Sequence, residues 1–155
     1  KLDFDKAKEA LSDEYIFIVK YHYLVSDKID WTPYKGFVYT FDETKDIAWL
    51  YLVSDMLITD YSSVMFDYSI LNRPMLFFAY DLEDYKENLR GFYFDFVNDI
   101  PGPISRDTDQ LIKDIKEYNE DSWKEKYKNY HDKFNGIDDG HASQKVIDVI
   151  KKVSR

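Results

Sequence analysis

A chain of 155 residues, 45% hydrophobic and 18% aromatic, carries enough apolar side chains to bury a core, and its length fits one domain. Its 21 Lys and Arg against 30 Asp and Glu leave a net charge of -9, which repels nucleic-acid phosphates and anionic lipid surfaces. The absence of cysteine removes disulfides, thiolate zinc sites and thiol nucleophiles, a composition compatible with a reducing cytoplasm.

The sequence opens in charged, helix-like residues, Lys1-Leu2-Asp3-Phe4-Asp5, with no initiator Met and no signal-peptide pattern, so we expect a segment of a longer protein. Residues 5–11 fit the tail of a helix. Residues 15–20 form a continuous apolar run suited to a buried parallel strand, which puts the first strand-to-helix junction at Tyr21-His22-Tyr23. Gly36 precedes a short strand over 37–40. Ile47, Leu50 and Tyr51 at helical spacing predict a helix within 46–53, and the next strand is 56–59. Asp60-Tyr61-Ser62-Ser63 supplies cap-type residues before an apolar helix over 64–71, which Asn72-Arg73-Pro74 ends ahead of a strand over 75–79. Further on come a helix over 82–89, extended chain over 91–96, a turn at Pro101-Gly102-Pro103, and helices over 107–118, 122–134 and about 141–153. The longest apolar stretches are strand-sized, well short of the roughly 18 residues a membrane span needs.

Strands alternating with short helices through brief loops predict right-handed βαβ units, and therefore an α/β fold with a doubly wound, Rossmann-like parallel sheet. No repeat, linker or low-complexity tract divides the chain, so residues 1–155 read as one domain.

In such folds ligands sit at the carboxyl edge of the strands, and Thr59 to Asp67 occupies that place. Ser62 and Ser63 stand where a helix N-terminus offers unpaired N–H groups, an arrangement suited to a pyrophosphate. Asp67, one turn beyond Ser63 on the same side, is placed to accept hydrogen bonds from ribose hydroxyls. The alternative is that Asp60 and Ser62 simply cap the helix, the ordinary meaning of Asp-x-Ser-Ser. His22 follows the first strand and points from the same edge, either as a structural residue or as an imidazole that neutralises or protonates a departing phosphate. Arg73 and Arg90 are the basic residues outside the solvated helices and either approach an anionic ligand or pair with one of the thirty acids. Tyr21, Tyr23, Tyr61, Tyr68, Tyr80 and Tyr85 flank the crevice in sequence, as packing residues or as a base-stacking platform. His131 and His141 read as surface residues. No pair of histidines or carboxylates has ligand spacing, so no metal site is predicted, and no Gly-x-Ser-x-Gly elbow is present.

The string from Leu50 to Asp67, Leu50-Tyr51-Leu52-Val53-Ser54-Asp55-Met56-Leu57-Ile58-Thr59-Asp60-Tyr61-Ser62-Ser63-Val64-Met65-Phe66-Asp67, closely resembles the signature of CDP-glycerol glycerophosphotransferases, the enzymes that polymerise teichoic acid. Asn72-Arg73-Pro74-Met75-Leu76-Phe77-Phe78, Leu89-Arg90-Gly91-Phe92-Tyr93-Phe94-Asp95 and Pro101-Gly102-Pro103 follow in that family's order, and Asp138-Asp139-Gly140-His141-Ala142-Ser143 resembles its closing motif. The resemblance implies the C-terminal, CDP-alditol-binding half of a two-domain enzyme of glycosyltransferase-B type, working at the inner face of the cell membrane without a tightly bound cofactor. It implies transfer of glycerol phosphate from CDP-glycerol to a lipid-linked poly(glycerol phosphate), with release of CMP. It places His22 at the leaving phosphate and Ser62, Ser63, Asp67, Asp60, Arg73 and Arg90 at the donor, with the acceptor and its base coming from the other half. Competing expectations are a CDP-ribitol donor, a nucleotide-sugar donor in capsule synthesis, or a non-catalytic interaction module.

Overall fold

The computed structural model describes residues 1–21, 29–42, 44–84 and 93–154. His22, Tyr23, Tyr85 and Arg90 therefore lie outside the described residues, as does most of the expected helix over 82–89.

Helix α1 (Phe4–Leu11) starts where the Asp3 carboxylate accepts hydrogen bonds from the N–H groups of Asp5 and Lys6, satisfying donors that a helix leaves unpaired. Strand β1 (Phe17–Val19) follows and lies parallel to β2 (Val38–Thr40), with Ile18 opposite Tyr39. A 3-10 turn, Thr32–Tyr34, stands between them. The Asp46 side chain caps α2 (Ile47–Val53), which leads to β3 (Leu57–Thr59). Next come α3 (Val64–Ser69), β4 (Met75–Phe78), the short α4 (Leu82–Asp84), α5 (Phe96–Asp99) and β5 (Ile104–Ser105). Three helices close the chain: α6 (Thr108–Lys116), capped by Asp107, α7 (Glu120–Phe134), capped by Asn119, and α8 (Ala142–Val153).

The predicted alternation is present and every described ladder is parallel, but among the described residues the sheet is in two pieces, β1-β2 and β3-β4-β5. One expectation over 91–105 is corrected, and a strand is present that the sequence did not indicate. Phe96 opens a helix rather than ending an extended segment, because Asp95 accepts the Asn98 N–H and caps it. The segment after the Pro-Gly-Pro turn is a strand, with the Phe77 and Ala79 N–H groups donating to the Pro103 and Ser105 carbonyls, each at 2.9 Å. Gly102 lies so close to β4 that a Cβ there would overlap the Met75 carbonyl.

Alternation along the strands sends side chains to two cores. On one face Met75, Phe77 and Ala79 pack with Met65 and Tyr68 of α3, Tyr51 of α2, Phe96 of α5 and Tyr127 and Tyr130 of α7. On the other, Leu76 packs with Ala7 and Leu11 of α1, Leu111 and Ile115 of α6, and Phe37 and Val38. Phe17, Val19, Met56, Ile58 and Phe78 border this second core, so both pieces of sheet share it. At the end of α7 the buried Asn135 fastens that helix to α3: its Oδ1 lies 2.7 Å from Ser69 Oγ and its Nδ2 donates to the Phe66 carbonyl at 3.0 Å. None of the α8 residues is buried.

Candidate functional site at the carboxyl edge of the strands

The turn from β3 to α3 has the geometry its sequence foreshadows. Asp60 Oδ1 accepts the Ser62 N–H at 3.1 Å, which folds the turn, and Ser62 Oγ lies 3.5 Å from the Val64 N–H. Asp60 and Ser62 thus perform the local capping that was the competing reading of this motif. Ser63, at the N-cap, makes no side-chain capping hydrogen bond. Its exposed hydroxyl, and the exposed Asp67 carboxylate one turn on, stand on the same side of α3. The structure thus brings Asp60, Ser62, Ser63 and Asp67 together and leaves the last two facing solvent.

Behind them the site is fixed. The Tyr61 hydroxyl donates to Asp81 Oδ1 at 2.9 Å, tying the turn after β3 to the turn after β4, while its ring meets Phe96 edge-on at 5.5 Å. Burial first, and Asp81 second, push the Tyr61 hydroxyl well above the usual phenol range, so it stays a donor. Among the described residues Tyr51 Oη is buried without a hydrogen-bond partner, and it is pushed up to about 12, by burial first and by the charge of Asp67 next.

Of the tyrosines named from sequence, Tyr68 is fully buried and donates to the Ser54 carbonyl at 2.9 Å. The Tyr21 hydroxyl accepts from Trp31 Nε1 at 2.7 Å. Both are structural. Tyr80, by contrast, is 53% exposed at the carboxyl end of β4, where a planar base can reach it. Arg106, which sequence reasoning missed, follows β5 on this edge and pairs with Glu83 at 3.1 Å. That ion pair is exposed and worth little, so a phosphate can compete for the guanidinium. The signal was the position of Arg106 after a strand too short to be read from its pattern.

The structure does not bring Arg73 to this edge. Arg73 precedes β4, at the amino end of the strands, and its Nη1 contacts the carbonyls of Tyr51, Leu52 and Ser54 at 3.3, 3.0 and 2.6 Å. It caps the C-terminus of α2, where four carbonyls lack helical partners and a cation is favoured by the dipole. A cavity of about 290 Å³ opens beside it, lined among others by Lys124, Tyr127, Lys128 and His131. This cavity is at the opposite edge from Ser62 and Ser63, so the motif and the cavity are separate features. His141 stands exposed before α8.

Parallel strands, helices on both faces and a hydroxyl-bearing turn at the carboxyl edge define an α/β protein of the doubly wound, Rossmann-like class. Within that class the chain belongs to the CDP-Glycerol:Poly(glycerophosphate) glycerophosphotransferase family, whose profile matches residues 1–152. It is 44% identical over 153 residues to a teichoic acid poly(glycerol phosphate) polymerase of Bacillus subtilis (strain 168), covering 97% of this chain and 20% of the relative. It is also 44% identical over 161 residues to a teichoic acid poly(ribitol-phosphate) polymerase of Bacillus spizizenii, covering 96% of this chain and 24% of the relative. A solved structure of the wall teichoic acid polymerase TagF, a variant soaked with CDPG, superposes with a TM-score of 0.84 at 41% identity, over 97% of this chain and 38% of that one. The chain thus spans well under half the length of these relatives.

Proposed function

We propose that this chain is the donor-binding domain of a transferase that moves glycerol phosphate from CDP-glycerol to a poly(glycerol phosphate) chain and releases CMP. The observation that carries the proposal is the family match over 1–152, reinforced by the superposition on a polymerase soaked with CDPG. In this reading a hydroxyl oxygen of the acceptor bonds the glycerol-bearing phosphorus, the pyrophosphate P–O bond breaks, and CMP leaves with the bridging electron pair. His22 holds that developing charge or protonates it. Ser62 and Ser63 face the pyrophosphate with hydroxyls and N–H groups, Arg90 adds a cation, Asp60 keeps the turn folded, and Asp67 accepts from the ribose hydroxyls. No tightly bound cofactor is required. The lipid-linked acceptor and its base belong to the rest of the longer protein, which works at the inner face of the membrane. Positioning both substrates supplies much of such a rate, so this domain alone turns over little.

A CDP-ribitol donor is the second reading, favoured by the equal identity to the ribitol-phosphate polymerase. Calorimetric titration of the full-length protein with CDP-glycerol, CDP-ribitol and UDP-sugars separates the donors. Asp67→Ala should weaken the preferred CDP-alditol about 10- to 100-fold, the worth of hydrogen bonds to a charged group. A UDP-sugar bound more tightly than either CDP-alditol would overturn the assignment.

A further inference from the structure

We propose that the cavity beside Arg73, at the amino edge of the strands, is a second binding site, which takes a small phosphate ester of a polyol. The site stands apart from the turn at Asp60 to Ser63 and does not depend on how that turn is read.

Charge is the first support. Over the whole chain acids outnumber bases, 30 against 21. The cavity wall reverses this: among the described residues Arg73, Lys124 and Lys128 meet one carboxylate, Glu120. The two lysines stand four residues apart on one side of α7, where like charges repel. Among the described residues neither has a carboxylate within ion-pair distance, although the same helix pairs Lys133 with Asp99 at 2.7 Å. Arg73 adds its charge beside them even while Nη1 caps α2. A phosphate, with several acceptor oxygens and one or two negative charges, matches such a set.

The second support is a buried hydroxyl. Tyr127, one turn from Lys124, is only 9% exposed, and among the described residues its Oη has no hydrogen-bond partner. Tyr51 and Tyr130 have orphaned hydroxyls too, but neither of them lines the cavity. A buried polar atom left unpaired costs stability, and a ligand oxygen would remove that cost. The electrostatic neighbours of the Tyr127 hydroxyl include Tyr118 and Glu120, both in the cavity wall. Burial first, and Tyr118 next, hold this hydroxyl far above the usual phenol range, so it keeps its proton and can donate. Glu120 beside it accepts from a hydroxyl. A ligand with a phosphate toward the lysines and alcohol groups toward Tyr127 and Glu120 therefore uses the whole wall.

Volume sets the size. About 290 Å³ is the room of about ten water molecules, enough for about ten non-hydrogen atoms. A three-carbon polyol phosphate fits, and a nucleoside diphosphate does not, so this is not a second donor site. If the proposed function holds, the same chemistry comes from two sources: free glycerol phosphate and each repeat of the polymer.

Calorimetric titration of the full-length protein with glycerol 3-phosphate, inorganic phosphate and glycerol tests the site. Both lysines are exposed and Ala suits a helix, so Lys124→Ala/Lys128→Ala should fold normally. That variant should bind glycerol 3-phosphate about 10-fold or more weakly, and the unmodified protein should prefer this ester to phosphate or glycerol. Tyr127→Phe should weaken it about 5-fold with the melting transition unchanged or raised, because the substitution deletes an unpaired buried atom. Asp67→Ala should leave this binding within about twofold, and the lysine substitutions should leave CDP-alditol binding within about twofold, so the two sites fail or stand separately. Competition with a short poly(glycerol phosphate) names the source: the polymer if it displaces the ester at lower concentration, the free ester if it needs more. No binding of glycerol 3-phosphate at about 10 mM, or binding that the lysine variant leaves intact, overturns the proposal.

Discussion

Replacing Arg73 by Met separates a structural arginine from a ligand-binding one. The substitution keeps the length and apolar stem of the side chain and deletes the guanidinium whose Nη1 contacts three carbonyls, at 3.3, 3.0 and 2.6 Å. One Nη1 carries two hydrogens, so no more than two of these contacts are full hydrogen bonds at once. Two bonds from a charged donor, each about 1.5 kcal/mol because Arg73 is half-exposed, sum to about 3 kcal/mol, and water reaching the freed carbonyls returns about 1 kcal/mol. The net loss of about 2 kcal/mol should lower the melting transition of this domain in the full-length protein by about 4–8 °C. Donor affinity, measured by calorimetry, should stay within about twofold, because Arg73 sits at the amino end of the strands. Arg73→Lys should recover only part of the stability, since an ammonium lacks the planar fork. An unchanged melting transition together with a tenfold or greater loss of donor affinity would refute the argument and return Arg73 to the donor site.

Gly102→Ala should cost about 3 kcal/mol or more, because the new Cβ meets the Met75 carbonyl and displaces the strand that receives the Phe77 and Ala79 N–H groups. Gly36→Ala is the control: φ there is +88° with open space around the Cβ position, so only the left-handed conformation is penalised, by about 1–2 kcal/mol. Thermal denaturation of the two variants of the full-length protein ranks them, and the reverse order would show that β5 does not lie as close to β4 as described. His22→Ala should lower kcat about 100-fold with donor KM within a few-fold, as loss of a group acting on the leaving phosphate requires. Unchanged turnover in steady-state assays removes the histidine from the mechanism.

Most elements were legible because their patterns are local. The helix over 64–71 followed from Asp60 and Ser62 before an apolar run, and the structure has α3 over Val64–Ser69 with Asp60 and Ser62 shaping its start. The two-residue strand β5 was illegible, since two residues have no period and the strand is defined by pairing with β4, where the Phe77 and Ala79 N–H groups donate to the Pro103 and Ser105 carbonyls. Phe96 read as extended because an aromatic after Phe92-Tyr93-Phe94 fits a strand, yet Asp95 offers a cap and the core between Phe77 and Tyr61 takes the ring.

By itself the sequence determined the parallel α/β class, the family, and the cluster of Asp60, Ser62, Ser63 and Asp67, because a strand, a turn and a helix within nine residues place those groups through backbone geometry alone. The fate of Arg73 was decided only by tertiary structure. Flanked by Asn72 and Pro74 it had no local partner, and the carbonyls it caps come from α2, 19 to 22 residues earlier, brought beside it when Tyr51 and Tyr68 pack edge to face. The division of the sheet, among the described residues, into β1-β2 and β3-β4-β5 is likewise tertiary, since a strand's sequence records its apolarity and not which strand lies beside it.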